Sequence, residues 1–119
     1  MQVQETVQTP PRERVVFLNA LPLNAFGDME SFALNVARAE LEELRKFSHH
    51  GNMVNYIRHP ATVSLLRRYV ANLPEPAQGL YRYSAGDVLV VVTLKSPQRG
   101  AEAQQVSEQD VVVHVVTVL

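Results

Sequence analysis

Apolar and polar positions divide the chain into short segments of two kinds: unbroken apolar runs, and mixed stretches carrying a single apolar stripe. Residues 14–19 contain Val15-Val16-Phe17-Leu18, a continuous apolar run of the kind buried on both faces of a sheet. Residues 88–94 and the valine-rich 111–119 repeat that pattern. Between Phe32 and Arg38, Phe32, Leu34 and Val36 alternate with Ala33, Asn35 and Ala37. This is the period of a strand, with a helix from Asp28 onward as the competing reading. Residues 53–57 predict a further short strand.

Two stretches carry helical stripes. Leu41, Leu44 and Phe47 recur among Glu40, Glu42, Glu43, Arg45 and Lys46, acids first and bases last, as the helix dipole favours. Gly51-Asn52 stops that helix. Pro60 opens a second one, with Val63, Leu66 and Val70 on one face and Arg67 and Arg68 near its end. Pro74 and Pro76 terminate it. The predicted order is β-β-α-β-α-β-β, an α+β domain with a mixed sheet and helices laid on one or both faces. Residues 14–119 form this single domain, and the Gln-, Thr- and Pro-rich residues 1–13 a flexible N-terminal segment.

Composition narrows the functional classes. None of the 119 residues is cysteine, so disulfide frameworks, thiolate metal sites and cysteine nucleophiles are excluded. A cysteine-free chain fits a reducing compartment. The N-terminal residues lack the apolar core of a signal peptide, and no run approaches the ~18 apolar residues of a membrane span. A cytoplasmic protein with no membrane attachment is expected. The net charge of −1 makes it no polycation, so duplex nucleic acid is not an expected partner. Charge is nevertheless uneven. From Arg58 to Arg99, six basic residues (Arg58, Arg67, Arg68, Arg82, Lys95, Arg99) face two acidic ones (Glu75, Asp87).

Four histidines are candidates for chemistry. His49 and His50 lie in a polar turn without spaced carboxylates, so neither a metal site nor a cofactor is expected. His114 interrupts a valine strand and reads as a core or interface histidine. His59 differs, because it follows a strand, adjoins Arg58 and precedes a proline at the first helical position. Free N–H groups at a helix start beside a guanidinium make a site for phosphate or carboxylate. A protonated imidazole there is a usable general acid. The competing reading is a histidine that only caps the helix. Thr62 and Ser64 follow on that helix, with no acid placed to complete a triad. No glycine-rich phosphate loop, nucleophile elbow or carboxylate pair is present.

Three segments together resemble a known family. They are Val16-Phe17-Leu18-Asn19-Ala20-Leu21-Pro22-Leu23-Asn24, then Ile57-Arg58-His59-Pro60-Ala61-Thr62, then Gly86-Asp87 before a valine strand. Their order and spacing over residues 14–95 are similar to those of the viral ring-nuclease anti-CRISPR family and its cellular relatives. The resemblance implies a homodimer that binds cyclic oligoadenylate, the second messenger of type III CRISPR defence, across the dimer cleft. It also implies cleavage without metal: a ribose 2′-hydroxyl attacks the neighbouring phosphate, and His59 protonates the departing oxygen. Asn19, Asn24 and Thr62 would lie near the ligand; Lys95, Ser96 and Arg99 are expected to bind it with them, and Arg58 beside His59 either adds a phosphate contact that serves catalysis or obstructs the usual one. Arg58 replaces a family glycine. Lys95-Ser96-Pro97-Gln98-Arg99-Gly100 replaces a segment with a carboxylate before its glycine, and here Glu102 follows the glycine instead.

The leading reading is therefore a cyclic-oligoadenylate binder, with ring-nuclease activity. The alternatives are a non-enzymatic module that docks a protein or sequesters the messenger, and a sequence-independent RNA binder. The last is disfavoured by the scarcity of aromatics beyond Tyr56, Tyr69, Tyr81 and Tyr83. The apolar stretch 111–119 is expected to need a second copy, since an exposed edge of that kind aggregates.

Overall fold

A computed structural model describes residues 13–95 and 106–119. The strands are β1 (Val15–Leu18), β2 (Leu34–Ala39), β3 (Met53–Asn55), β4 (Val88–Leu94) and β5 (Val111–Val118). One α-helix, α1 (Pro60–Arg67), lies between β3 and β4. Short 3₁₀ helices span Leu23–Phe26, Leu41–Phe47 and Glu108–Asp110. The strands form one mixed sheet in the order β2-β5-β4-β1-β3, which gives the α+β architecture expected from the chain. β1 runs parallel to β3 and β4, while β5 is antiparallel to β4 and β2.

The unbroken apolar runs are the interior strands. All four residues of β1 are buried, and Leu89 to Val92 of β4 are buried as well. Both faces are covered because alternate side chains enter two cores. On one face Val15, Phe17, Val90, Val92 and Val113 meet Val63, Leu66 and Val70 from the α1 region, and Leu41 and Leu44. On the other, Val16, Leu18, Leu89, Val91 and Val116 meet Ala25, Phe26 and Tyr81.

Three differences from expectation have physical reasons. The stretch at Leu41–Phe47 winds as a 3₁₀ helix. Its apolar residues are spaced by three, so three residues per turn stack them on one line, with Leu44 fully buried. β3 ends at Asn55 rather than at 57, because Asn55 Oδ1 accepts the Ile57 N–H at 2.8 Å and turns the chain. β5 is no exposed edge: it pairs with β2 along one side and β4 along the other. Its apolar character follows from that interior position, so β5 needs no second copy to cover it. Of the segment 1–13 expected to be flexible, residues 1–12 lie outside the described residues.

Candidate functional site

The His59 turn is built by the residue that ends β3. Asn55 is wholly buried, and its Nδ2 donates to the carbonyls of Ile57 and Pro74, both at 3.1 Å. With Oδ1 on the Ile57 N–H, three of its four hydrogen-bonding positions are used. The Asn55 carbonyl also accepts the Ala77 N–H at 2.7 Å. One polar side chain thus fixes the exit from β3 and draws the segment after α1 alongside it.

His59 then sits at the N-terminal boundary of α1 in an extended conformation, and Pro60 supplies the first helical residue. The imidazole makes no capping bond to the helix backbone. Its Nδ1 lies 2.8 Å from Oγ1 of Thr62, a buried hydroxyl one turn along. Among the described residues Nε2 has no partner. Arg58 is exposed, and its Nη2 donates to the Ala77 carbonyl at 2.6 Å. Its guanidinium is therefore partly committed to the 77–81 loop.

These residues share a pocket of about 300 Å³ lined by Leu18, Asn19 and Ala20 after β1, by Tyr56, Arg58 and His59 after β3, and by Gly79, Leu80 and Tyr81, with Pro22. It lies where parallel strands β1 and β3 end, the usual ligand position in open sheets with parallel strands. One part of the lining is cationic and hydrogen-bonding (Asn19, Arg58, His59). Another is aromatic and aliphatic (Tyr56, Tyr81, Leu80, Leu18, Pro22). Among the described residues, no carboxylate lines it. A second cavity, of about 230 Å³, includes Glu40, Glu42 and Glu108 among its walls and suits an anion poorly.

The wall bearing Tyr81 is held by a buried charge cluster. Asp87 Oδ1 accepts from Arg14 Nε at 3.0 Å. Its Oδ2 accepts from Arg14 Nη2 at 2.8 Å, the Tyr81 hydroxyl at 2.5 Å and the Ser84 N–H at 3.0 Å. Burial alone raises the Asp87 pKa, but the bonds from Arg14, Tyr81 and Ser84 outweigh it and hold the carboxyl below its ordinary range. The Tyr81 hydroxyl is pushed far up, first by burial and then by its bond to Asp87, so it stays protonated.

The pocket brings together Asn19, Arg58 and His59, with Thr62 behind the imidazole. Asn24 is exposed on the 3₁₀ helix Leu23–Phe26 and does not line it. Lys95 follows β4, its N–H on the Asp110 carbonyl at 2.8 Å, and also lies outside the lining. Ser96, Arg99 and Glu102 lie outside the described residues. Among the described members of the basic excess, two are paired with carboxylates: Arg67 with Glu75 at 2.9 Å and Arg68 with Glu108 at 3.6 Å. Asn55, Leu80 and the aromatic wall are absent from the sequence-based site. The one usable signal was a polar Asn55 inside an apolar run. Among the described residues no three His, Asp or Glu side chains converge as a metal-ligand group, and no helix is long and apolar enough to cross a membrane.

Fold and pocket define an α+β domain with an anion-compatible, aromatic-walled cleft at its strand ends. The fold is that of B116 of Sulfolobus turreted icosahedral virus, matched at a TM-score of 0.67 over 87% of this chain and 97% of that protein. At 13% identity the likeness is one of fold alone. No protein-family model matches the chain, and no curated protein sequence does.

Proposed function

We propose that the pocket binds a nucleotide unit of cyclic oligoadenylate and that His59 is the general acid of a metal-independent cleavage. The observation that carries this is the His59–Thr62 pair at 2.8 Å, at a pocket lined by both cationic and aromatic residues. A phosphodiester beside a purine needs those two surfaces next to each other. In the protonated imidazole Nδ1–H donates to Thr62 Oγ1, which leaves Nε2–H for the ligand.

The ribose 2′-oxygen attacks the adjacent phosphorus and the bond from phosphorus to the 5′-oxygen breaks. Nε2 gives its proton to that oxygen, and the 2′-hydroxyl proton passes to water. The products are a 2′,3′-cyclic phosphate and a free 5′-hydroxyl. A pocket of about 300 Å³ is at the small end for one drug-sized ligand, so it takes one unit of the ring. The rest of the ring reaches the pocket of a second copy, which makes a homodimer part of the proposal.

A messenger-sequestering protein is the second reading. It is favoured by one observation: no carboxylate among the lining residues is placed to take the 2′-hydroxyl proton. Single-turnover incubation with radiolabelled cyclic oligoadenylate, in EDTA, separates the two. A 2′,3′-cyclic phosphate product is expected. Tight binding without product supports sequestration, and no binding to rings of any size overturns both readings.

A further inference from the structure

Leu80 is held in solvent by a loop that is tied down at both ends. The residue is 81% exposed, although it lines the pocket. Before it, Pro76 bridges to Asn55, the Ala77 N–H donates to the Asn55 carbonyl, and Arg58 Nη2 donates to the Ala77 carbonyl. After it, the Tyr81 hydroxyl is anchored on Asp87. Gly79 has φ of 81°, a left-handed conformation that a side chain would strain, and it turns the chain immediately before Leu80. A loop free to collapse would bury a leucine; this one is braced so that it does not. The same lining includes half-buried Tyr56, whose ring packs edge-on to that of Tyr81, the residue after Leu80, with centroids 5.7 Å apart.

We infer that Leu80 and Tyr56 form a nucleobase subsite, in which the base covers Leu80 while its phosphate meets Arg58 and His59. This rests on the nucleotide reading of the pocket. The occupant is a flat heteroaromatic ring rather than a purely apolar group, because the same small pocket carries guanidinium and imidazole. Stacking and apolar contact serve any base face, and an anionic tail on the ligand matches Arg58 and His59 in the same lining. Leu80 is then a specificity-determining contact that separates nucleotides from other phosphates.

The test compares adenosine 5′-monophosphate with ribose 5-phosphate by calorimetry on wild type, Leu80→Ala and Leu80→Met, with cyclic oligoadenylate as a separate arm. Leu80 is exposed, so its replacement leaves the fold intact, which thermal melting verifies. Wild type is expected to prefer the mononucleotide about fivefold or more. Leu80→Ala should lose most of that preference with ribose 5-phosphate unchanged, and Leu80→Met should retain it. Equal preference in wild type and Leu80→Ala overturns the subsite. So does a change from dimer to monomer in Leu80→Ala with base preference kept, which would make Leu80 a subunit contact. The ring arm tests the proposed function separately. If wild type binds no ring yet shows Leu80-dependent preference for the mononucleotide, the messenger assignment fails and the subsite stands. If the ring and both monophosphates fail to bind, both fall.

Discussion

The Asp87 turn and the His59 turn are built from similar materials and put to opposite uses. Each is a short polar stretch that feeds an element packed on the core, β4 in one case and α1 in the other. Asp87 is 3% exposed and receives four hydrogen bonds from three residues, so its charge is fully matched inside the protein. His59 is half-buried, has one ring nitrogen on Thr62, and lines an open pocket. A satisfied buried charge holds structure and has nothing left to offer a ligand. A partly satisfied group at a pocket wall costs little while solvated and can exchange its water for substrate. Chemistry is therefore expected at His59 and stability at Asp87.

The largest separation should come from His59→Ala. In single turnover, cleavage of cyclic oligoadenylate should slow by roughly 10²–10⁴-fold, the usual contribution of a general acid. Ring affinity and melting temperature should stay near wild type, and EDTA should have no effect on either protein. A large drop in melting temperature would make His59 a structural residue and dissolve the contrast between the turns.

Asp87→Asn should do the reverse. Removing one partner of a buried pair costs about 3–5 kcal/mol, and the lower end applies because the Arg14 side chain is 28% exposed. A melting temperature lower by on the order of 10 °C is expected. The pH dependence has a fixed sign. The folded carboxyl is held below its ordinary range, so the unfolded chain binds the proton more readily. The stabilisation is complete above the unfolded value of about 4 and is lost as pH falls below it. Urea midpoints at pH 7 and pH 3 should therefore differ more for wild type than for Asp87→Asn. Equal midpoint differences in the two proteins would show that other carboxylates govern acid unfolding.

Arg58 lies between the two cases, since it touches the loop as well as the pocket. Arg58→Ala should weaken ring binding by about 1.5–3 kcal/mol, the range for a hydrogen bond to a charged group. Arg58→Lys should restore part of this if a phosphate is the partner. If the Ala77 carbonyl matters more, Lys should rescue poorly, because an ammonium lacks the planar fork that can hold a carbonyl and an anion together.

Much of the fold was legible because burial on both faces leaves a simple signature. β1, β4 and β5 are apolar runs, and β4 spans the Val88–Leu94 that its apolar run predicts. The partner of each strand was not legible. Nothing in the valines of β5 says that β2, far away in sequence, crosses to cover its other side. The His59 turn could be read from Pro60 and the neighbouring Arg58, which are local. The pocket's aromatic wall could not, because Tyr81 is brought there by a clasp between Arg14 and Asp87, 73 residues apart. Asn24 and Lys95 are near the turns in sequence terms only. Asn24 lies on the 3₁₀ helix Leu23–Phe26, and Lys95 extends past the level at which β1 ends.

The smallest expected effect tests whether His59 is positioned rather than merely present. Thr62 is 4% exposed, and Thr62→Val puts a methyl in place of the hydroxyl behind the imidazole, so it removes the hydrogen bond while filling the same space. The ring then loses the bond that fixes its rotation, and Nδ1 is left facing an apolar methyl. The loss should be about 1 kcal/mol in the barrier, a roughly fivefold slower single-turnover rate. Ring affinity should be unaffected, since Thr62 does not line the pocket. Thr62→Ser keeps the oxygen and should recover the rate even though it removes a buried methyl. A rate that follows stability instead, with Ser slower than Val, would mean that Thr62 serves packing alone and that His59 needs no partner to orient it. If the protein only sequesters its ligand, Thr62→Val should have no measurable effect on binding, whereas Arg58→Ala still would.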